Sequence, residues 1–368
     1  MHPIPSKAKR IVVKLGTGIL TTESGSIDTD YISAVCQQIS ELRKSGTQSI
    51  VVSSGAVGLG MGIFGLTKRP DDSVKLQACA AIGQSLLIQT WQQAFSAFGI
   101  TVAQILLTHD DLSIRSRYIH VKAIIEHLLH QGIVPIINEN DTVSTEEVKF
   151  GDNDLLSAML ASQTESEYLL ILSTAPGLID QTGTGKIVPV ISEITPQIKA
   201  MAGGTTSAIA VGGMITKIEA ATLATKANCG VFIAHGKEPQ IILKLLQGNG
   251  PGTFFVPEGM PMEAKKHWMT YFQRPNGSLH VDQGAVTALT DNGKSLLASG
   301  LVKIEGTFSS GDVIDLISPE EKTFARGQVQ FSSEEINRIS GKKTDEIKQL
   351  FPEKTRWEII HRNSLVIL

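Results

Sequence analysis

Runs of consecutive apolar residues recur along the first two-thirds of this chain: "RIVVKLG" from Arg10, "SIVVSSG" from Ser49, "IVPIIN" from Ile133, "YLLILS" from Tyr168 and "VFIAHG" from Val231. A strand that is apolar on both faces needs both faces covered, which a sheet with one wet face does not provide. Stretches with helical spacing lie between the runs. In "DTDYISAVCQQISELRKSG", Ile32, Val35, Cys36, Ile39 and Leu42 form one stripe. Asp28 can cap its start, Lys44 suits its last turn and Gly46 can end it. Further helices are expected at 73–98, 113–131, 154–162, 195–202, 214–227 and 239–246, with another strand at "ITVAQILL". This alternation predicts an α/β fold: an open, mostly parallel sheet sandwiched by helices.

In such sheets ligands bind beyond the carboxyl ends of the strands. The segments "KLGTG", "SSGAVGLG", "NENDTV" and "STAPG" all fall there and are polar or rich in small residues. That coincidence places the candidate site before any motif is named.

The pattern changes near Asn276. From there short β-like runs are divided by turn signals such as "DNGK" and "SSGD", which read as a small, mostly β domain. The chain has 368 residues, more than one core comfortably holds, so two domains are expected, 1–275 and 276–368, joined near "FQRPNGS". A formal charge of −3 excludes a surface built broadly for polyanions. The longest apolar runs are too short for a bilayer, and Lys14 and two glycines interrupt the segment after the basic start, unlike a signal peptide. Three scattered cysteines, Cys36, Cys79 and Cys229, fit a reducing compartment, so a cytoplasmic location is expected.

Several motifs bear on chemistry. "GMGIFG" satisfies G-x-G-x-x-G at Gly60, Gly62 and Gly65, but the glycines begin several residues after their strand and no acidic residue stands where a ribose partner belongs. A dinucleotide site is not expected. Lys14 ends the first strand ahead of Gly16 and Gly18, whose backbone N–H groups can turn toward an anion. Lys217 follows Gly212 and Gly213 at the expected start of a helix, where a phosphate can rest. Taken singly, each lysine fits equally well a snorkelling strand-end residue or a solvated helix residue.

"INENDTVSTEEVKFGDND", Ile137 to Asp154, gathers six carboxylates and three asparagines between a strand and a helix. Asp152 and Asp154 suit the dipole of that helix. Together Asn138, Asn140, Asp141, Asp152, Asn153 and Asp154 exceed what a cap requires, and Asp141 and Asn153 can bind an ammonium or amide group. Two clusters of opposite sign at one sheet edge suggest a zwitterion receiving an anion. His120, His127 and His130 share a helix face without metal-pair spacing, so no metal site is expected from them.

"VVKLGTG", "SSGAVGLG", "AAIGQS", "QILLT", "IVPIINENDTV", "KFGDND", "GLID" and "VGGMITK" occur in the order found in the amino acid kinase family, and together resemble its glutamate 5-kinase members. The tail resembles the PUA domain that many of these carry. The resemblance implies phosphorylation of the L-glutamate side-chain carboxylate by ATP with Mg²⁺, the first step of proline synthesis. It also implies homo-oligomers (dimer or tetramer) and feedback inhibition by proline. By motif, Lys14, Lys217 and Asp154 would be catalytic, and Ser54, Asp141 and Asn153 would hold glutamate. Lys14, Ser173, Thr174, Val211, Gly212, Gly213, Met214, Ile215, Thr216 and Lys217 would serve ATP. Ser173–Pro176 departs from the family's usual Thr-Asp, Val211 stands in place of a threonine, and the loop "DQTGTGKIVP" looks short. All three lie in the nucleotide half. The alternative is an RNA-binding or RNA-modification-associated protein acting through the tail. From Ser278 onward eleven Lys/Arg face thirteen Asp/Glu, a net of −2, so little RNA affinity is expected.

Overall fold

The computed structural model describes residues 8–22, 26–143, 153–180, 183–202, 213–258 and 275–368. The chain divides into two compact units, Met1–Pro261 and Met262–Leu368. Among the described residues no helix is long and apolar enough to cross a membrane.

The first unit is built on strands β1 (Arg10–Leu15), β2 (Gln48–Ser53), β3 (Val102–Leu107), β4 (Val134–Glu139), β5 (Tyr168–Ser173), β6 (Val190–Ile191), β7 (Gly230–His235) and β8 (Thr253–Phe255). They form one sheet in the order β3-β4-β2-β1-β5-β7-β8-β6, parallel except where β8 runs antiparallel to β7. The helices used below are α1 (Thr17–Leu20), α2 (Thr29–Lys44), α3 (Ala56–Ile63), α4 (Ser73–Ser96), α5 (His109–Ser113), α6 (Arg115–His130), α7 (Asn153–Gln163), α8 (Pro196–Met201), α9 (Met214–Lys226) and α10 (Ile241–Leu246).

The period of two along β1 sorts the layers. Ile11, Val13 and Leu15 enter a core shared with Ile32 and Val35 of α2, Trp91 and Phe95 of α4, and Ile241 and Leu245 of α10. Val12 and Lys14 therefore face the opposite layer, where α7 packs on β1 and α9 packs on α7. Asp28 caps α2 as expected, accepting from the Tyr31 N–H at 2.9 Å, and Gly46 ends it at φ 90°.

Three expectations are corrected. The helix over 113–131 is two helices: Ile114 is extended (φ −83°, ψ 119°) and separates α5 from α6. Thr108 starts α5 early through a capping box with Asp111, which accepts from both the Thr108 N–H and its hydroxyl. After β1 the chain enters the short helix α1, and the Gly16 N–H, expected to turn toward an anion, instead donates to the Leu172 carbonyl at 3.0 Å and ties β1 to β5.

Gly60 supplies no phosphate turn; it lies inside α3, where any Cβ would overlap the Cys79 carbonyl of α4. Across the same contact a Cβ at Gly83 would overlap the Ala56 carbonyl oxygen. The two glycines let α3 and α4 pack backbone to backbone.

The second unit carries a five-stranded sheet in the order Leu301–Gly306, Gly277–Val281, Val313–Ile317, Thr323–Val329, Ile360–Ile367, antiparallel apart from the pairing of Gly277–Val281 with Val313–Ile317. Its own core includes Leu279, Leu316, Phe331, Ile336 and Ile360. A Ser332–Glu335 capping box opens the helix Ser333–Ile339.

Candidate active site

The chain leaving β1 turns through α1 and α2 toward β2, whereas the chain leaving β5 turns to the other side, toward β7 and the strands beyond it. Connections that diverge from adjacent strands open a crevice beyond their carboxyl ends. Lys14 stands at that end of β1 and Ser173 at that end of β5.

Lys14 is fully buried, which a lysine tolerates only with a partner. Its Nζ lies 2.6 Å from Asp154 Oδ1, in the first turn of α7. Lys217, in the first turn of α9 and also buried, places its Nζ 2.9 Å from Asp154 Oδ2. The Thr216 hydroxyl is 3.1 Å from the same Oδ2 and 2.9 Å from the Gly213 carbonyl oxygen. Small residues make the meeting possible: Ser157, Ala158 and Ala161 of α7 and Ala220, Ala221 and Ala224 of α9 are all buried. Helices bearing such residues approach closely, and their amino-terminal turns come together over β1.

Burial by itself would raise the Asp154 pKa; the two ammoniums, by charge and then by hydrogen bonding, outweigh it and hold the group at about 2. Asp154 is therefore a permanent anion at physiological pH. The trio of two ammoniums and one carboxylate sums to a formal charge of +1. An incoming anion would balance it.

Beside this trio lies a network of amides. Asn153 donates from Nδ2 toward the Ser53 carbonyl (3.2 Å), the Ser54 hydroxyl (2.9 Å) and Asn138 Oδ1 (2.8 Å). Asn138 Oδ1 also accepts from the Glu139 N–H at 2.9 Å, and Asn138 Nδ2 donates to Gln84 Oε1 at 2.8 Å. Two backbone groups fix the orientations. A peptide N–H can only donate, so the Asn138 atom facing Glu139 is its oxygen; a carbonyl can only accept, so the Asn153 atom facing Ser53 is its nitrogen. Asn153 Oδ1 is thereby turned away from all of these. Among the described residues it is buried without a donor, an oxygen suited to a ligand N–H.

Of the residues expected at the site, Lys14, Lys217 and Asp154 form one cluster, and Ser54 and Asn153 form a second that meets it at the first turn of α7. Asp141 is half-buried in the turn after β4. Ser173 is buried and its hydroxyl accepts from the Ala175 N–H at 3.2 Å, while Thr174 is exposed. Gly213, which has no side chain to cap the helix, is the extended residue before α9, and Met214, Ile215 and Thr216 follow in its first turn. Asp152, Val211 and Gly212 lie outside the described residues. Gln84 carries no role in the sequence reading; the only sign of it is its place after Gly83 in "AAIGQS".

The amino acid kinase family model matches residues 9–235 and the PUA domain model residues 277–351. A glutamate 5-kinase of Geobacter sulfurreducens is 41% identical over 369 residues, covering 99% of each chain. One of Syntrophotalea carbinolica is 42% identical over 366 residues, covering 98% of each. Among solved structures, carbamate kinase from Giardia lamblia bound to AMP-PNP superposes with a TM-score of 0.50 at 18% identity, over 69% of this chain and all of that one, which speaks to the fold alone. With a full-length match to named relatives and this geometry at its sheet edge, the chain belongs to the amino acid kinase family, among the glutamate 5-kinases, and carries a PUA domain.

Proposed function

We propose that the protein transfers the γ-phosphoryl group of MgATP to the side-chain carboxylate of L-glutamate, giving L-glutamyl 5-phosphate and ADP, the first step of proline synthesis. The observation that carries this reading is one buried carboxylate, Asp154, held between Lys14 and Lys217 beside an Asn153 oxygen that has no donor among the described residues. A carboxylate oxygen of the substrate forms the new bond to the γ-phosphorus while the bond to the β–γ bridging oxygen breaks and leaves with ADP. No protein nucleophile is needed. What the protein supplies is position and positive charge.

In this reading Lys14 and Lys217 flank the moving phosphoryl group, and their ammoniums are worth most when negative charge spreads over its oxygens. Asp154 keeps the two like charges at fixed places. Ser54, Asp141 and Asn153 hold glutamate, with Asn153 Oδ1 accepting from its α-ammonium and Asp141 supplying opposite charge. Ser173, Thr174 and the stretch from Val211 to Lys217 serve the nucleotide; the amino end of α9, which begins at a glycine, is suited to its phosphates. Among the described residues no group of three His, Cys, Asp or Glu is gathered for a metal, and Asp154 is engaged by two ammoniums. Mg²⁺ would accordingly be held mainly by the nucleotide phosphates, where it offsets their charge.

Homo-oligomeric assembly belongs to the same proposal, supported by exposed Ile82 and Leu86 on α4 and Ile119 and Ile124 on α6. Inhibition by proline and a cytoplasmic location are proposed from family membership. The RNA-binding alternative gains no support from the tail, whose charge from Ser278 on is −2. The test is to incubate purified protein with L-glutamate, MgATP and hydroxylamine, which traps an acyl phosphate as its hydroxamate. Glutamyl hydroxamate is expected; no product from glutamate, with aspartate or carbamate serving instead, would overturn the assignment.

A further inference from the structure

We infer that Gln84, in the middle of α4, is a positioning residue for the amino acid: it anchors Asn138, and through it holds the Asn153 amide where the ligand meets it. The inference deepens the glutamate reading and rests on it.

The relay runs Gln84 Oε1 to Asn138 Nδ2, then Asn138 Oδ1 to Asn153 Nδ2, each step at 2.8 Å. Asn138 is buried, so its NH₂ group cannot turn to water for a substitute partner. Gln84 supplies that partner. Without it, Asn138 Nδ2 loses its acceptor, while the Glu139 N–H and the Ser53 carbonyl still hold both amides the same way round. Asn138 is then drawn off its place toward any other acceptor, its grip on Asn153 Nδ2 loosens, and Asn153 Oδ1 shifts from the position in which an α-ammonium would meet it.

The neighbouring backbone explains how a helix residue can act with such accuracy. Gly83 lets α4 sit against the Ala56 carbonyl of α3, a contact that no Cβ would allow, and this fixes the helix where residue 84 projects toward Asn138. The Ser53 hydroxyl, on the same stretch as the carbonyl that orients Asn153, accepts from Trp91 of α4 at 3.0 Å. The helix thus holds the amide pair from two points.

The experiment compares Gln84→Met, which removes the acceptor at similar volume, with Gln84→Glu, which keeps an acceptor oxygen. Full-length variants are assayed for hydroxamate formation with glutamate and MgATP varied separately, and their melting temperatures are recorded. For Gln84→Met we expect the glutamate KM to rise on the order of tenfold, the scale of one unsatisfied buried polar group. Its kcat and MgATP KM should stay within about twofold, and Gln84→Glu should keep a glutamate KM within about threefold of the parent. A glutamate KM unchanged in Gln84→Met, equal impairment of both variants, or a fall in kcat that tracks melting temperature would each overturn the inference. Failure of the parent protein to make glutamyl hydroxamate would instead sink the functional reading, so the two failures are distinguishable.

Discussion

Lys14 and Lys217, from opposite ends of the catalytic unit's sequence, grip opposite oxygens of one carboxylate, at 2.6 Å and 2.9 Å. Neither lysine could be buried alone, and the pair could not be brought together without the anion between them. The site is therefore a charge cluster assembled from the ends of a strand and two helices, and its trio has a formal charge of +1 that suits an anionic ligand.

Removing the far ammonium tests its role in the chemistry. Lys217→Ala should lower kcat on the order of a hundredfold or more, while the glutamate KM changes by less than about threefold, because this contact strengthens as charge develops on the phosphoryl group. Steady-state kinetics with each substrate varied in turn checks this. A KM effect with kcat intact would place Lys217 in ground-state binding.

Acid should act on the cluster in a defined direction. The Asp154 pKa is lowered from 3.8 to about 2 in the folded protein. Its charge therefore contributes stability that is fully present above pH 3.8 and is lost as pH falls toward 2, on the order of 2 kcal/mol for this group. Asp154→Asn leaves two facing ammoniums without their anion and should cost about 3–5 kcal/mol at pH 7. In urea unfolding at stepped pH, the gap between parent and variant should be constant from pH 7 to about 4 and narrow below it. A gap that narrows already between pH 7 and 5 would mean that Asp154 titrates near neutrality.

Asp141→Ala should chiefly raise the glutamate KM, by about tenfold or more, with a smaller effect on kcat. The opposite pattern in the same assay would show that the amino-acid and phosphoryl ends of the site have been exchanged.

The α3–α4 contact makes a packing prediction independent of catalysis. Gly83→Ala forces a methyl group into the Ala56 carbonyl and should destabilise the protein by about 1–3 kcal/mol, measured by chemical denaturation. Gly62→Ala, on the same helix as Gly60 but with nothing within 4 Å of its Cβ position, should cost nothing measurable.

Much of this was legible in the sequence, for physical reasons that differ by residue. Strands β1, β2, β4, β5 and β7 announced themselves because both faces of each are apolar, α2 because Asp28 and Gly46 mark its ends through local chemistry, and the two- and three-residue strands β6 and β8 were too short to show a pattern. Lys14 and Lys217 stood out by their glycine neighbours, but their burial did not, since that depends on Asp154 arriving from another part of the chain. The break at Ile114 was hidden because apolar periodicity continues across it, while the Thr108–Asp111 box that shifts the start of α5 is short and easily read as loop. Gly16 looked free because its acceptor, the Leu172 carbonyl, lies on a strand far along the chain. Gly60 carried a dinucleotide-fingerprint spelling, yet its place inside α3 lets two helices touch. Gln84 was unreadable, since a glutamine on a helix signals nothing until its acceptor is seen against Asn138.

The most direct test of the central claim is a crystal structure with L-glutamate, Mg²⁺ and a non-hydrolysable ATP analogue bound. The account predicts the γ-phosphoryl group within hydrogen-bond reach of both Lys14 Nζ and Lys217 Nζ, the glutamate ammonium on Asn153 Oδ1, and the side-chain carboxylate facing the phosphorus. A terminal phosphate lying away from both lysines, or glutamate bound with its ammonium toward them, would contradict it.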